Sequence, residues 1–266
     1  MQNPIIVIGI GEMASVFTRA LLRYGYPVYP VNRETDMHAL AKTIPEPSLV
    51  LVGVGENALH SVLKKIPSSW LNRLGLLQNE LLPRDWQNLN SPQPPTVISV
   101  WFEKKKGQDY KVLVPSPVYG PRAPLLVNAL ASLDIPAWEL ASEKELEFEL
   151  VRKNVYILTT NITGLLIQRF KVESVKEMWA DYQDLAQQVA YEVIDIQEWL
   201  TGHRFDRKKL IEGMVDAIEG DPRHKCMGRS APLRLNHALK QADEAGLAVP
   251  RLREIYQNEV ASEIQI

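Results

Sequence analysis

The residues best suited to chemistry form a glycine-rich turn near the N-terminus. The apolar run 5–8 leads into a G-x-G-x-x-A turn, after which apolar residues recur at helical spacing. In this order of strand, turn and helix, Gly9 permits a tight turn, Gly11 lets a pyrophosphate approach the backbone, and Ala14 lets the helix lie close to the sheet. Unpaired N–H groups at the helix start would bind the phosphates. The sequence therefore predicts a dinucleotide site, with a ligand-free βαβ turn as the alternative. The site comprises Gly9, Ile10, Gly11, Glu12, Met13 and Ala14.

The end of the second predicted strand, 28–31, indicates which dinucleotide binds. Sites for NAD usually carry Asp or Glu there to hold the ribose 2′-hydroxyl, whereas this chain has Asn32 and Arg33. A neutral amide does not repel a 2′-phosphate, and a guanidinium can bind one through two hydrogen bonds. We therefore expect NADP (NADPH) rather than NAD. The nearby Glu34 and Asp36 leave open that Arg33 is only a solvated loop residue.

Two further positions bear on the same site. Val54 ends the apolar run 48–54 and is assigned to the cofactor site together with the glycine turn. Glu12 places a carboxylate in the turn itself, where it would repel a pyrophosphate unless its side chain points to solvent.

Composition limits the function classes. The chain has 266 residues, enough for two domains, and its 45% apolar and 23% charged residues are typical of a soluble globular protein. A net charge of −2 provides no electrostatic footprint for nucleic acid, and no apolar run approaches the ~18 residues of a membrane span. The single cysteine, Cys226, excludes an internal disulfide, and no Cys/His set has metal-site spacing. We expect a cytoplasmic protein with no metal, nucleic-acid or membrane partner.

The sequence pattern changes near residue 141. Before it, short β-rich runs alternate with helical segments, as in a parallel sheet, and the lysine run 104–106 is interpreted as a solvated hairpin turn. After it, the chain is helical, with apolar periodicity over 146–165, 175–194, 207–218 and 230–245 and a last helix opened by Pro250. The prediction is an α/β fold, with a Rossmann-type domain over 1–140 and an all-helical C-terminal domain over 141–266. Many dehydrogenases have this layout, with the active site in the cleft between the domains.

This order of features resembles the ketopantoate reductase (2-dehydropantoate 2-reductase) family over essentially the whole chain, as a divergent member. That family lies within the superfamily that shares a 6-phosphogluconate dehydrogenase C-terminal-like domain. Leu77-Gln78-Asn79 resembles the family's Gln-Asn-Gly turn, whose Asn lies near nicotinamide and substrate. The resemblance therefore implies that Asn79 contacts both, although Glu80 stands where the family has Gly.

The segment 153–164 is similar to a second family pattern, in which a Lys is followed by Asn four and eight residues later. In that family the Lys is the catalytic cation at the ketone, and the asparagines hold the substrate. Lys153 and Asn161 fit, whereas Ile157 replaces the middle Asn. On a helix, eight residues bring two side chains to within roughly 80° of each other and about 12 Å apart along the axis, so both could line one cleft. Without the resemblance, a surface lysine beside Arg152 is equally compatible.

The C-terminal block resembles the family less closely. Gly228-Arg229 and the segment 236–250 are similar to the family's late helix and its exit at proline. The family's Glu that binds substrate and assists proton transfer has no counterpart, because no carboxylate lies between Asp221 and Asp243.

Two hypotheses follow. In the first, the chain is an NADP-dependent reductase of a small 2-keto acid or related carbonyl compound. Lys153 would then polarise the carbonyl oxygen and supply a proton, and Arg229 or Arg234, unless both are merely exposed helix residues, would bind the carboxylate. In the second, the chain is an NAD(P)-binding protein with impaired or no reductase activity, acting as a sensor or partner subunit. Either hypothesis allows a homodimer.

Overall fold

The computed structural model describes the backbone of residues 2–263 and the side chains of residues 2–259. The chain divides into two compact units, Met1–Leu150 and Val151–Ile266. The long helix Glu143–Ile167 crosses the division, and it begins just after the domain boundary predicted at 140/141. Ser142 caps this helix by accepting a hydrogen bond from the Glu145 backbone N–H at 3.2 Å.

The first unit is built on a seven-stranded sheet in the order β2-β1-β3-β4-β5-β8-β9. The strands are β1 Ile5–Ile8, β2 Val28–Val31, β3 Leu49–Val52, β4 Leu74–Leu76, β5 Thr96–Ile98, β8 Ser116–Tyr119 and β9 Ala137–Glu139. Strands β1 to β5 are mutually parallel, and β8 pairs antiparallel with β5. Every residue of β1 and β3 is buried, as expected when helices cover both faces of a parallel sheet. The Rossmann-type part of the predicted fold is therefore confirmed.

Four helices of the first unit connect these strands: α1 Glu12–Arg23, α2 Met37–Thr43, α3 Leu59–Leu63 and α4 Ala123–Ala131. Helices α1 and α4 pack together, and Phe17, Leu21, Leu126 and Leu130 join the core over β1 and β3. No sequence pattern indicated β8, α4 or β9. β8 contains Pro117, which is uncommon within strands, and no residue of β9 is buried, so neither has the continuous apolar run that identified β1 and β3.

A separate two-stranded hairpin, β6 Phe102–Lys104 and β7 Tyr110–Val112, packs against α1 through β6. The Phe102 and Phe17 rings lie 5.7 Å apart, and the Arg19 guanidinium lies 5.4 Å from the Tyr110 ring centre. The Tyr110 hydroxyl donates a hydrogen bond to the carbonyl of Leu133. The hairpin predicted around the lysine run is confirmed, and its position is fixed by these contacts.

Among its described residues, the second unit consists of helices joined by loops, with one isolated β-bridge between Ser174 and Lys225. Its helices are α5 Glu143–Ile167, α6 Val175–Asp181, α7 Gln183–Thr201, α8 Arg207–Gly220, α9 Ala231–Ala245 and α10 Pro250–Glu263. Helix α7 is central, since it packs against α6, α8, α9 and α10. Glu192 of α7 accepts hydrogen bonds from the backbone N–H groups of Arg251 and Leu252, so its carboxylate caps the start of α10.

The periodic segment 175–194 forms two helices rather than the single one that its pattern predicts. Tyr182 separates α6 from α7, with φ −131° and ψ 30°. Its ring stacks on Phe170, with ring centres 5.9 Å apart and an interplanar angle of 16°. The segment contains no Gly or Pro, so its apolar spacing continues across the break and conceals it.

A buried carboxylate stabilises the turn between α7 and α8. Glu198 accepts hydrogen bonds from the Phe205 backbone N–H at 3.1 Å and from the guanidinium groups of Arg204 and Arg207 at 2.5 Å. Burial by itself raises the pKa of Glu198, but these three donors outweigh it and hold the pKa below its ordinary value of 4.5.

Glu198→Gln tests this turn. We expect the variant to lose about 2 kcal/mol of unfolding free energy at pH 7, because hydrogen bonds to an ionised group are lost. A lowered folded-state pKa contributes stability above the unfolded pKa, and the contribution is lost as pH falls through the folded value. The difference between wild type and variant should therefore shrink below about pH 4.5, measured by urea unfolding. Exposed Glu219→Gln is the matched control. An equal difference at all pH values would contradict the assignment.

Candidate functional site

The turn between β1 and α1 is tightly packed against the end of β3. Gly9 has a φ of +90°, and a Cβ added to it would lie 2.9 Å from Val54 Cγ1 and 3.0 Å from the carbonyl carbon of Gly53. A Cβ added to Gly53 would in turn lie 2.8 Å from the Cβ of Ala14. The first turn of α1 therefore lies directly on the carboxyl end of β3, which leaves room only for small residues at these positions.

Gly11 differs from Gly9 in both its backbone conformation and its packing. Its φ is −75°, which any residue can adopt, and no heavy atom of the described residues lies within 4 Å of an added Cβ. Ile10 beside it is 66% exposed, unusual for a large apolar side chain. Nothing in the protein itself requires glycine at position 11, whereas a ligand that approaches the backbone there would require it.

The glycine turn also lies at the topological switch point of the sheet. β1 has β2 on one side and β3 on the other, so the connections that follow β1 and β2 lead to opposite sides of it. In open α/β sheets, ligands bind outside the carboxyl ends of the strands at such a point. The predicted cofactor residues Gly9, Ile10, Gly11, Glu12, Met13, Ala14, Asn32, Arg33, Val54 and Asn79 all directly follow or flank the carboxyl ends of β1 to β4.

Asn32 organises the loop that follows β2. Its Oδ1 accepts hydrogen bonds from the Glu34 backbone N–H at 2.9 Å and from Thr35 Oγ1 at 3.0 Å, and Thr35 Oγ1 accepts one from the Asn32 backbone N–H. The side-chain oxygen of Asn32 thus closes a local turn, and the chain leaves β2 with Arg33 at the exposed apex of that turn.

The neighbouring carboxylates do not pair with Arg33. Asp36 Oδ1 accepts hydrogen bonds from the backbone N–H groups of His38 and Ala39, which cap α2 and keep the pKa of Asp36 below 3.8. Among the described residues, the Arg33 side chain has neither a hydrogen bond nor an ion pair. The guanidinium is therefore exposed beside the carboxyl end of β2, where a 2′-phosphate would require it.

Gln78 is a site residue that sequence reasoning did not single out. It is 5% exposed, and its Nε2 donates hydrogen bonds to the carbonyl oxygens of Val52 at 2.6 Å and Val54 at 3.2 Å. Its Oε1 accepts one from the Leu77 backbone N–H at 3.1 Å. These bonds tie the ends of β3 and β4 together and position both Val54 and Asn79. A polar side chain directly after an apolar strand was the signal available in the sequence.

Glu12 does not point freely to solvent. Its Oε2 lies 3.1 Å from Nζ of Lys104, the last residue of β6. Lys104 was predicted to lie in a solvated turn, and that prediction is wrong, because its side chain is only 17% exposed and packs beside α1. The carboxylate in the glycine turn therefore has a cationic partner from a distant part of the sequence.

The residues that fit the lysine–asparagine pattern on α5 are buried. Lys153 is 5% exposed, so the alternative of a surface lysine is wrong. Its neighbour Asn154 donates a hydrogen bond through Nδ2 to Gln197 Oε1 at 2.9 Å, which joins α5 to α7. A buried ammonium is costly unless other groups stabilise it, and Lys153 does interact with other groups of the protein.

Asn161 holds the segment that precedes α9. Its Nδ2 donates to the carbonyl of Ile157 at 2.8 Å, and its Oδ1 accepts from the Gly228 backbone N–H at 3.1 Å. A Cβ added to Gly164 would lie 3.0 Å from Met227 Cβ, so the segment lies close against α5. Arg229 follows it and is exposed, whereas Arg234 is half-buried in α9.

Comparison with solved structures identifies the architecture. 2-Dehydropantoate 2-reductase from Methylococcus capsulatus aligns over 98% of this chain and 97% of its own, with 12% identity and a TM-score of 0.67. The chain has the ketopantoate reductase fold. Dimeric ketopantoate reductase from Staphylococcus aureus aligns over 97% and 98% of the two chains, with 15% identity and a TM-score of 0.63. D-Mandelate dehydrogenase in complex with NADH aligns over 98% and 99%, with 14% identity and a TM-score of 0.65. No protein-family model and no curated protein sequence matches the chain.

The ketopantoate reductase fold confirms the resemblance seen in the sequence, and the turn that carries part of that resemblance has an unusual backbone conformation. Glu80 has a φ of +57°, the left-handed region that favours glycine. This is the position at which the resemblance places the Gly of a Gln-Asn-Gly turn. A non-glycine residue therefore adopts a conformation that glycine adopts more easily, at a cost of about 1 kcal/mol in backbone strain.

The single cysteine is unreactive. Burial, with a smaller contribution from the Glu177 carboxylate, raises the pKa of the Cys226 thiol to about 12, so it is not a nucleophile at neutral pH.

None of the helices in the described part of the chain combines the length and apolar character needed to cross a bilayer.

The two glycines of the turn predict opposite responses to the same substitution. Gly9→Ala should lower the unfolding free energy by about 2 kcal/mol, because it forces a side chain into a left-handed conformation and against the backbone of Gly53. Gly11→Ala should leave it within about 0.5 kcal/mol of wild type. Chemical unfolding of both variants measures the difference. Equal destabilisation would show that Gly11 has a structural role.

Proposed function

We propose that the chain is a divergent member of the ketopantoate reductase family and an NADP-dependent oxidoreductase that reduces a small 2-keto acid or related carbonyl compound. The observation that carries the proposal is Gly11, a glycine that neither the backbone nor the packing requires, at the start of a 12-residue helix at the switch point. A pyrophosphate is the ligand that such a position suits, because the free N–H groups and the helix dipole both favour an anion.

Different residues at the carboxyl edge of the sheet would bind different parts of the dinucleotide. The N-terminus of α1 would bind the pyrophosphate, and Arg33 would bind the 2′-phosphate of NADP. Val54 and Asn79, positioned by Gln78, would contact the remainder of the cofactor. The bound nicotinamide would supply a hydride.

Lys153 is the proposed catalytic residue of the second unit. A buried ammonium can stabilise the negative charge that develops on a carbonyl oxygen, and it can then give that oxygen a proton. Asn161 and exposed Arg229 are the proposed substrate-binding residues, the latter for a carboxylate. The side-chain amide of Asn161 already makes two hydrogen bonds within the protein, to the Ile157 carbonyl and from the Gly228 N–H. Those bonds fix its position, and substrate would bind to an amide that is already held in place.

The cofactor half of the proposal is tested by calorimetric titration with NADPH and with NADH. We expect wild type to bind NADPH more tightly than NADH. Arg33→Ala should weaken NADPH binding by about tenfold, because a charged hydrogen-bond pair to the 2′-phosphate is lost, and should leave NADH binding unchanged. Exposed Arg23→Ala, at the end of α1, is the matched control. Equal loss for both dinucleotides would contradict the assignment of Arg33, and no binding of either would overturn the cofactor site.

The catalytic half is tested with Lys153→Met, which keeps most of the side-chain volume. We expect kcat for NADPH oxidation, with whichever member of a 2-keto-acid panel proves to be a substrate, to fall by about 100-fold, with NADPH affinity unchanged. A rate that does not change would rule out a catalytic role for Lys153.

A binding protein without reductase activity is the second candidate. It is favoured by the absence of a carboxylate between Asp221 and Asp243, where the resemblance expects the residue that assists proton transfer. It predicts NADPH binding by wild type without oxidation of NADPH by any member of the panel. A cytoplasmic location and a homodimer, the assembly named for the Staphylococcus aureus protein, complete the proposal.

A further inference from the structure

The β6–β7 hairpin delivers a lysine to the first residue of the phosphate-binding helix. β6 lies along α1 with Phe102 against Phe17, and two residues later Lys104 reaches Glu12, where the helix begins. The hairpin is held independently of this pair, since the Tyr110 hydroxyl bonds to Leu133. Packing therefore places the Lys104 ammonium at the mouth of the glycine turn.

The charge at this position matters for an anionic ligand. The N-terminus of α1 attracts anions, and the Glu12 carboxylate is itself an anion at that end. Without a counter-charge it would compete with a pyrophosphate for the same N–H groups and repel it. The Lys104 ammonium, 3.1 Å from Glu12 Oε2, cancels that charge. The next lysines do not do so, because Lys105 pairs with Glu103 and Lys106 is exposed in the turn.

We propose that Lys104 supports binding at the dinucleotide site without itself contacting the ligand, and that it acts by neutralising Glu12 so that the glycine turn accepts a pyrophosphate. The inference rests on the proposed dinucleotide site. Since the side chains are 44% and 17% exposed for Glu12 and Lys104, the pair contributes little to folding, and its effect should be seen in binding.

The experiment is a rescue test read out by NADPH titration. Lys104→Met should weaken binding by about tenfold, because it leaves an uncompensated carboxylate beside the phosphates. Adding Glu12→Gln to that variant should restore binding to near the wild-type affinity, because the repelling charge is gone. Lys104→Arg, which keeps the charge, and Lys106→Met, which removes a charge from the same hairpin, should both bind as wild type does. Thermal unfolding of each variant checks that the fold is retained.

Three results would overturn the inference, and they separate it from the proposed function. If wild type binds NADPH but Lys104→Met binds equally well, the pair has no role in the site. If Lys104→Met is weak and Glu12→Gln does not restore it, Lys104 contacts the phosphates directly and neutralisation is not its function. If wild type binds no dinucleotide, the proposed function fails, and this inference fails with it.

Discussion

The close approach of α1 to the end of β3 is the constraint on which the candidate site depends. Gly9, Gly53 and Ala14 meet at distances that leave no space for another carbon atom, so only small residues at these positions let the helix start lie this close to the sheet. The free N–H groups of α1 are therefore held at the sheet edge, directly after β1. The exposed backbone of Gly11 is a consequence, because a turn this tight presents its next residue outward.

Electrostatics at this edge is set by groups that the fold brings together. Asp36 uses its carboxylate to cap α2, Glu12 uses its own to pair with Lys104, and Arg33 is left exposed. Two carboxylates that could weaken anion binding are thus occupied. The local charge is therefore more favourable to a phosphate than the carboxylates near Arg33 and in the glycine turn would indicate from the sequence alone.

The second unit concentrates polar side chains on a helix whose surroundings are apolar. Lys153, Asn154 and Asn161 are all buried on α5, yet their partners differ. Asn154 joins α5 to α7, and Asn161 anchors the segment before α9 through Gly228. Buried amides of this kind specify one arrangement of helices, since any other arrangement would leave them without partners. The same helix thus combines positioning residues with the proposed catalytic lysine.

The sequence by itself determined the features that depend on neighbouring residues: the glycine turn, the apolar strands β1 and β3, and the helical periodicity after residue 141. It did not reveal β8, which contains Pro117, or β9, none of whose residues is buried. It also missed the break at Tyr182, because the apolar pattern continues across it. Only the tertiary structure decided that Lys153 is buried and that Glu12 pairs with Lys104. Glu12 and Lys104 are 92 positions apart in the sequence, and a local sequence pattern cannot encode a contact between residues so far apart.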